Sequence, residues 1–445
     1  MSYCPNTNAD RERMLRSIGV NSIDDLLTQI PEDLLVKRAL NVPGPLSEME
    51  LSQEMSAIAV MNANLSEYAS FLGAGIYDHY IPATVGAITG RSEFYTSYTP
   101  YQPELSQGNL QAIWEFQSLV CELTGMQVAN ASMYDGASAL AEAAMMTSGI
   151  NRRREWVVSG CLHPSYLRVL RTYAWAAGFD VRECCRSGIL TDSDSLIAQI
   201  TDDTACVIVQ NPNFFGALES LTEMESAAHR HGALFVMSVD PISLGILKTP
   251  GDYNADICVA EGQSLGISQG YGGPLLGLFA CKQEFVRHMP GRIAGATVDE
   301  HGKRAYTLTL QTREQHIRRE RATSNICTNE ALLALAASVY LCTLGKKGLT
   351  EVANLCLQKS HYAAEAIGRI PGFELPCKAH FFKEFVVKSD SDIRELNRGL
   401  MKKRIVGGLD LGRFYPDLQD HMLFCATEKR TKAEIDSLID GMAQS

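Results

Sequence analysis

No lysine stands between Lys37 and Lys248, a gap of almost half the 445-residue chain. Across that stretch the side-chain amine used for imine chemistry is missing. None of the 13 cysteines forms a Cys-x-x-Cys pair, and Cys184 and Cys185 are adjacent, an arrangement that does not readily share a metal or a bridge. Such usage reads as reduced thiols, several buried as small hydrophobes, and no metal site is expected. No apolar run approaches the ~20 residues that span a bilayer. The N-terminus lacks a basic stretch followed by an apolar one, so no signal peptide is expected and the cytoplasm is the expected location. Basic residues form no stripe. The short run Arg152-Arg153-Arg154 leads straight into Glu155 and reads as a solvated helix end, while the net charge is −11. Neither feature gives nucleic acid a footprint.

What is present is the balance of an ordinary globular protein, 46% hydrophobic and 20% charged. The length suits about two or three domains. Near the N-terminus, Asn21 to Leu27 offers a cap, acidic first-turn residues and an apolar face, and Pro31 to Leu35 starts another turn. Residues 1–70 therefore read as a helical arm. Then short apolar runs alternate with helical patterns. Val157-Val158, Cys206 to Val209, Leu234 to Met237, Ile257 to Ala260 and Leu276 to Ala280 read as buried strands. Leu110 to Leu123 and Leu221 to Arg230 read as helices. The alternation predicts an α/β fold, a mostly parallel sheet with helices on both faces, over residues 71–328. Residues 329–445 read as a smaller α+β domain. It has helices from Thr328 to Leu344 and Thr350 to Arg369, a strand from Phe381 to Val387 and a closing helix from Thr431 to Met442.

Several segments could carry chemistry. Small residues from Ser132 to Ala139, including Gly136 and Ser138, open a helix, and such an end suits a phosphate; a tight packed loop explains them as well. Asp240 ends a buried strand, the edge where open α/β sheets bind ligands, and could pair with a protonated pyridine nitrogen; a cap before Pro241 is the plainer alternative. His163, just after another strand, could stack on a flat ring or simply pack. The stretch from Glu261 to Pro274 follows a strand about twenty residues after Asp240, where a pyridoxal-phosphate enzyme of this layout would place its Schiff-base lysine. It contains none. Finally, Tyr95, Ser97, Tyr98, Tyr101, Gln102 and Glu104 crowd a proline-punctuated loop. It suits a polar site or a neighbouring subunit, or else an ordinary packed loop. Arg313, His316, Arg318 and Arg319 suit a carboxylate, a phosphate or an interface ion-pair network.

Thr96 to Glu104, Gly270 to Pro274, Gln311 to Glu320 and Ala322 to Thr328 resemble the P-protein family, glycine dehydrogenase (decarboxylating). The match is to subunit 1 of its two-subunit form and covers nearly the whole chain. The resemblance implies the aspartate-aminotransferase-like type I fold of pyridoxal-phosphate enzymes. It implies a complex that decarboxylates glycine and passes the aminomethyl group to the lipoyl arm of H-protein. In that family the Schiff-base lysine belongs to subunit 2. Aligning its glycine-rich stretch on Gly270 to Pro274 puts Gln263 at the lysine position, and glutamine cannot form an imine. The resemblance therefore implies a chain with no covalently bound cofactor and a vestigial pocket of Gly136, Ser138, His163, Asp240 and Gln263. Pyridoxal phosphate would be held by subunit 2, in a heterodimer or a dimer of heterodimers. Tyr95, Ser97, Tyr98, Gln102 and Glu104 would reach the partner's site across the interface. A non-catalytic structural or regulatory subunit is the alternative, and a stand-alone pyridoxal-phosphate enzyme is disfavoured by the missing lysine.

Overall fold

The apolar runs of the middle third become strands because both of their faces are covered. In the computed structural model of the chain, which describes residues 5–322, 324–376 and 378–444, seven of the strands form one sheet. They are β1 (Val128–Ala129), β2 (Glu155–Val158), β3 (Asp180–Glu183), β4 (Thr204–Asn211), β5 (Leu234–Val239), β6 (Ile257–Glu261) and β7 (Gly277–Cys281), in the spatial order β1-β7-β6-β5-β4-β2-β3. Only β7 runs antiparallel to its neighbours. Val207, Val209, Phe235, Met237, Cys258 and Ala260 enter one core, and their sequence neighbours Cys206, Ile208, Val236, Ile257 and Val259 enter the other. With both faces buried, the period of two is invisible in the sequence and the strands read as continuous apolar runs.

Helices α1 (Asn8–Ile18) and α2 (Glu48–Ala59) belong to a first unit, Met1–Asn62. Each starts with a capping box, Thr7 with Asp10 and Ser47 with Glu50. The expected helices at 21–27 and 31–35 shrink to single 3-10 turns, Asp24–Leu27 and Glu32–Leu34. No described residue of this unit is buried, so it has no core of its own.

The second unit, Ala63–Ser445, holds everything else. Helices α3 (Gln107–Thr124) and α6 (Leu221–Arg230) cover one face of the sheet, and α4 (Gly136–Asn151) and α5 (Pro164–Ala177) cover the other. Helix α7 (Ala331–Ile367) breaks at Gly345, whose φ of 59° and ψ of −176° are not helical, which is where the sequence predicts a stop. Its 37 residues are long and apolar enough to cross a membrane by length and composition. Its apolar face is instead spent on two cores: Ala334, Ala337 and Leu341 pack against the large sheet, while Ala363, Ala364 and Ile367 pack against a second, antiparallel sheet.

That second sheet comprises β8 (Phe373–Glu374), β9 (Glu384–Ser389), β10 (Leu409–Asp410) and β11 (His421–Cys425), in the order β8-β9-β11-β10, backed by α8 (Ile393–Lys402) and α9 (Lys432–Ala443). The sequence places a strand at Phe381 to Val387, whereas β9 begins at Glu384. Residues 380–382 do other work. Leu218 N–H donates to His380 O at 2.8 Å, Phe382 N–H donates to Gly216 O at 3.2 Å, and Ala217 bridges Phe381. This short pairing docks the C-terminal layer on the loop after β4 and delivers Lys383 to the large sheet.

Candidate functional site

The parallel strands end on one edge, and the loops that leave them enclose a polar pocket. Gln210 on β4, Asp240 after β5 and Glu261 at the end of β6 form its floor. His163, at the start of α5, and the segment 75–77 close one side, while Phe382, Lys383 and Glu384 close the other. Of the residues expected here, the structure brings Gly136, His163, Asp240 and Gln263 around one place, the edge where open α/β sheets bind ligands.

Each of them is already engaged. Asp240 Oδ2 lies 2.7 Å from the Lys383 ammonium, and Lys383 is 1% exposed. Lys383 also donates to His79 Nε2 at 3.0 Å. An ammonium only donates, so His79 Nε2 accepts and Nδ1–H donates to Glu428 Oε2, 2.6 Å away. The result is a buried chain of carboxylate, imidazole, ammonium and carboxylate. Burial is the largest single influence and opposes the charge on Lys383, but Asp240, together with Cys425 and Cys356, raises the pKa overall, so the ammonium stays protonated. Burial is again the largest single influence and opposes the charge on Glu428, but the hydrogen bonds from His79 and from the Tyr80 N–H together hold the carboxyl at about 2.

His163 is stacked on Tyr166, with ring centroids 4.8 Å apart and planes 26° apart, and its Nε2 bonds Ala74 O at 2.9 Å. Burial lowers its pKa, so the ring is neutral. Gln263 is a backbone clamp. Its Oε1 accepts from Tyr77 N–H at 2.9 Å, and its Nε2 donates to Tyr77 O at 3.0 Å and Ile267 O at 2.8 Å. The residue at the expected lysine position thus holds the segment that crosses the pocket. Ser138 is spent on the capping box of α4, its N–H donating to Asp135 Oδ1 at 2.7 Å.

The N-terminus of α4 is where a phosphate would sit. There Gly136 N–H donates to Glu261 Oε2 at 2.9 Å, and Glu261 Oε1 accepts from Gln263 N–H at 2.9 Å and Leu276 N–H at 3.1 Å. Burial raises the Glu261 carboxyl to about 7, and with the Gly136 and Ser138 N–H groups already donated to Glu261 and Asp135 a further anion finds these two donors taken. A Cβ on Gly136 would stand 2.4 Å from the Tyr166 hydroxyl, so ring and helix end are already in contact. The space left in the pocket is about 30 Å³, room for about one water. Pyridoxal phosphate does not fit beside these side chains.

His79, Cys356 and Glu428 offer metal-type ligand atoms within 4.8 Å of one another. The 2.6 Å between His79 and Glu428 is hydrogen-bond spacing; ligands on one tetrahedral zinc stand roughly 3.3 Å apart. Their contacts are those of the ion-pair chain.

The tyrosine loop lies elsewhere. Tyr95, Ser97, Tyr98, Gln102 and Glu104 do not line the pocket. Tyr98 is 94% exposed, and Tyr95, Gln102 and Glu104 are exposed as well. Ser97 Oγ accepts from Asn109 Nδ2 at 3.2 Å. Tyr101 anchors the loop: its hydroxyl donates to Asn329 Oδ1 at 2.6 Å and its ring lies 3.6 Å from the Arg292 guanidinium. Asn329 in turn donates to Ala131 O, and Cys327 N–H donates to Tyr134. Arg313 is structural, bonding the carbonyls of Met289, Gly291 and Leu310. His316 faces Glu314 at 3.4 Å, while Arg318 and Arg319 are exposed.

Sequence reasoning missed Lys383, Tyr166, Tyr77, His79, Glu384 and Glu428. One signal was available: Lys383-Glu384 interrupts the apolar run Phe381 to Val387. Glu384 accepts from Ala74 N–H and from the Tyr77 hydroxyl, and burial raises its carboxyl to about 7. Unfolded, it would ionise near 4.5. Its stabilising contribution is therefore complete below pH 4.5 and lost as the pH rises through 7. The unfolding free energy of the wild type minus that of Glu384→Gln should shrink across this window in denaturant titrations. A difference that is flat or grows would contradict it.

A family model for the glycine cleavage system P-protein matches residues 1–442. The chain is 52% identical over 444 residues to a probable glycine dehydrogenase (decarboxylating) subunit 1 of Desulfitobacterium hafniense, covering 100% of both chains. It is 53% identical to the protein of that name from Desulforamulus reducens, covering 98% of each. Among solved structures, an inhibitor-bound glycine decarboxylase (P-protein) of the glycine cleavage system superposes with a TM-score of 0.92 at 40% identity, covering 100% of both chains. A sphingosine-1-phosphate lyase of Burkholderia pseudomallei superposes at 0.66 with 16% identity over 93% of each chain, a likeness of fold alone. The fold is that of the type I pyridoxal-phosphate enzymes.

Proposed function

Because the chain belongs to the glycine cleavage system P-protein family, we propose that it is the half of glycine decarboxylase that shapes the cofactor's site without carrying it. A lysine-bearing second subunit holds pyridoxal phosphate, which supplies the electron sink for decarboxylation. The pair releases CO2 from glycine and passes the aminomethyl group to lipoylated H-protein, the activity of glycine dehydrogenase (aminomethyl-transferring). The observation that carries this reading is the filled pocket: Lys383 pairs with Asp240, and Gln263 clamps Tyr77 where the lysine is expected.

The tyrosine loop is this chain's contribution to the pair. Tyr95, Ser97, Tyr98, Gln102 and Glu104 project from a segment whose base is fixed by Tyr101, Asn329 and Arg292. Exposed hydroxyls on an anchored base suit a role in positioning the substrate carboxylate or the lipoyl arm across an interface. Tyr98→Phe should lower turnover of the assembled pair by about tenfold; unchanged kinetics would remove Tyr98 from the site.

The deciding experiment mixes the chain with its lysine-bearing partner and pyridoxal phosphate, reduces with borohydride, and locates the label by mass spectrometry. Label on the partner alone, with glycine decarboxylated only by the mixture, is the expected result. A stoichiometric reduced pyridoxyl-lysine on this chain alone would overturn it.

A further inference from the structure

A buried aspartate needs a cation, and a helix N-terminus favours an anion. In this pocket both needs are met from within the chain. The Lys383 ammonium lies 2.7 Å from Asp240 Oδ2, beneath the ring of Tyr77 at 3.4 Å. The Glu261 carboxylate occupies the Gly136 N–H at the start of α4. Between these two ends, the Tyr166 ring lies flat on His163 and reaches the helix end with its hydroxyl. A cation, a flat ring and a hydrogen-bond-accepting carboxyl, which burial raises to about 7, follow one another, on the three groups the fold offers to a charged pyridine ring with a phosphate.

We propose that Lys383, Tyr166 and Glu261 are a built-in surrogate for pyridoxal phosphate: Lys383 stands in for the protonated ring nitrogen, Tyr166 for the ring and Glu261 for the phosphate. The pocket is thereby permanently loaded, and it excludes the cofactor from this chain by occupancy as well as by the lack of a lysine at position 263. The surrogate also fixes the C-terminal layer. Lys383 and Glu384 reach the pocket from β9 and the segment before it, so the ion pair with Asp240 pins that layer to the sheet edge. The surface offered to a partner is then the same whatever the cofactor concentration. Lys383 is a positioning residue here; it touches no substrate. This inference goes beyond the pairing proposed above and does not depend on it, since it concerns what the chain holds in its own pocket.

The test uses the full-length chain. Equilibrium dialysis of the wild type against pyridoxal phosphate should show no uptake at cofactor concentrations well above that of the chain; stoichiometric uptake overturns the proposal without any variant. Lys383→Ala should melt several degrees lower, and n-propylammonium should restore part of that loss while leaving the wild type unmoved. n-Propanol, equal in length but neutral, should restore nothing, because what is missing is the cation beside Asp240. Equal rescue by both, or by neither, would reduce Lys383 to a space-filling side chain and overturn the surrogate. If Lys383→Ala does not fold, Lys383→Arg serves: it keeps the cation and should retain most of the melting temperature, whereas Lys383→Met, of similar length without charge, should not. Equal melting of these two variants would also overturn it. None of these readouts involves decarboxylation or a partner, so failure here leaves the pairing intact, and failure of the borohydride experiment leaves the surrogate intact.

Discussion

Asp78→Ala is expected to destabilise the chain by about 3–5 kcal/mol, the usual consequence of removing one partner from a buried ion pair. Asp78 Oδ2 lies 2.8 Å from Arg430 Nη2, and Oδ1 lies 2.7 Å from Lys429 Nζ. Arg430 is 2% exposed, and its Nε and Nη1 have no hydrogen-bond partner among the described residues. Without Asp78 the guanidinium keeps only the Glu434 carboxylate at 3.6 Å. The effect should reach the pocket, because Asp78 belongs to the segment that Gln263 clamps at Tyr77 and that places His79 against Lys383. A large drop in the denaturation midpoint is the predicted reading. Asp78→Asn should lie between wild type and alanine, since an amide can still accept from Arg430 but carries no charge. A midpoint shift for Asp78→Ala no larger than that of a surface substitution would show that Arg430 finds water on its own.

Gly216→Ala is expected to be as damaging, about 2–5 kcal/mol from left-handed strain and overpacking together. Gly216 has a φ of +83°, and a Cβ there would stand 2.0 Å from the carbonyl oxygen of Glu384. Backbone cannot yield as a flexible side-chain end can. The only relief is to push the start of β9 away, which would carry Lys383 off Asp240 and undo the short pairing of 216–218 with 380–382. The variant should therefore lose stability and, where it still folds, gain susceptibility to proteolysis around residues 378–384. Resistance equal to the wild type would show that the C-terminal layer does not depend on this contact.

Much of the fold is legible in the sequence for a simple reason. Strands such as Ile257–Glu261 are buried on both faces and have little choice but to be apolar throughout, and helices such as Leu221–Arg230 reveal themselves by period and by the His231-Gly232 stop. The arm is less legible. Its 3-10 turns start at Ile23 and Pro31 with no side-chain cap, unlike the two helices capped by Thr7 and Ser47, and with no covering core they stop after about one turn. The strand expected at Phe381 illustrates a different failure. Its apolar pattern is real, but the first residues pair with another segment, and no local pattern encodes which partner wins.

The candidate site divides in the same way. Gly136, His163, Asp240 and Gln263 could be gathered from sequence because each follows a strand, and parallel strands deliver their C-terminal ends to one edge. The sequence by itself also determined that no lysine follows β6. It could not say that a lysine would come to the same pocket from the other sheet. Lys383 lies more than a hundred residues from Asp240 along the chain, in a run that reads as an ordinary strand. Tertiary structure alone placed it there, because a buried carboxylate must be neutralised by whatever cation packing can bring within a few ångströms, and packing takes no account of distance along the chain.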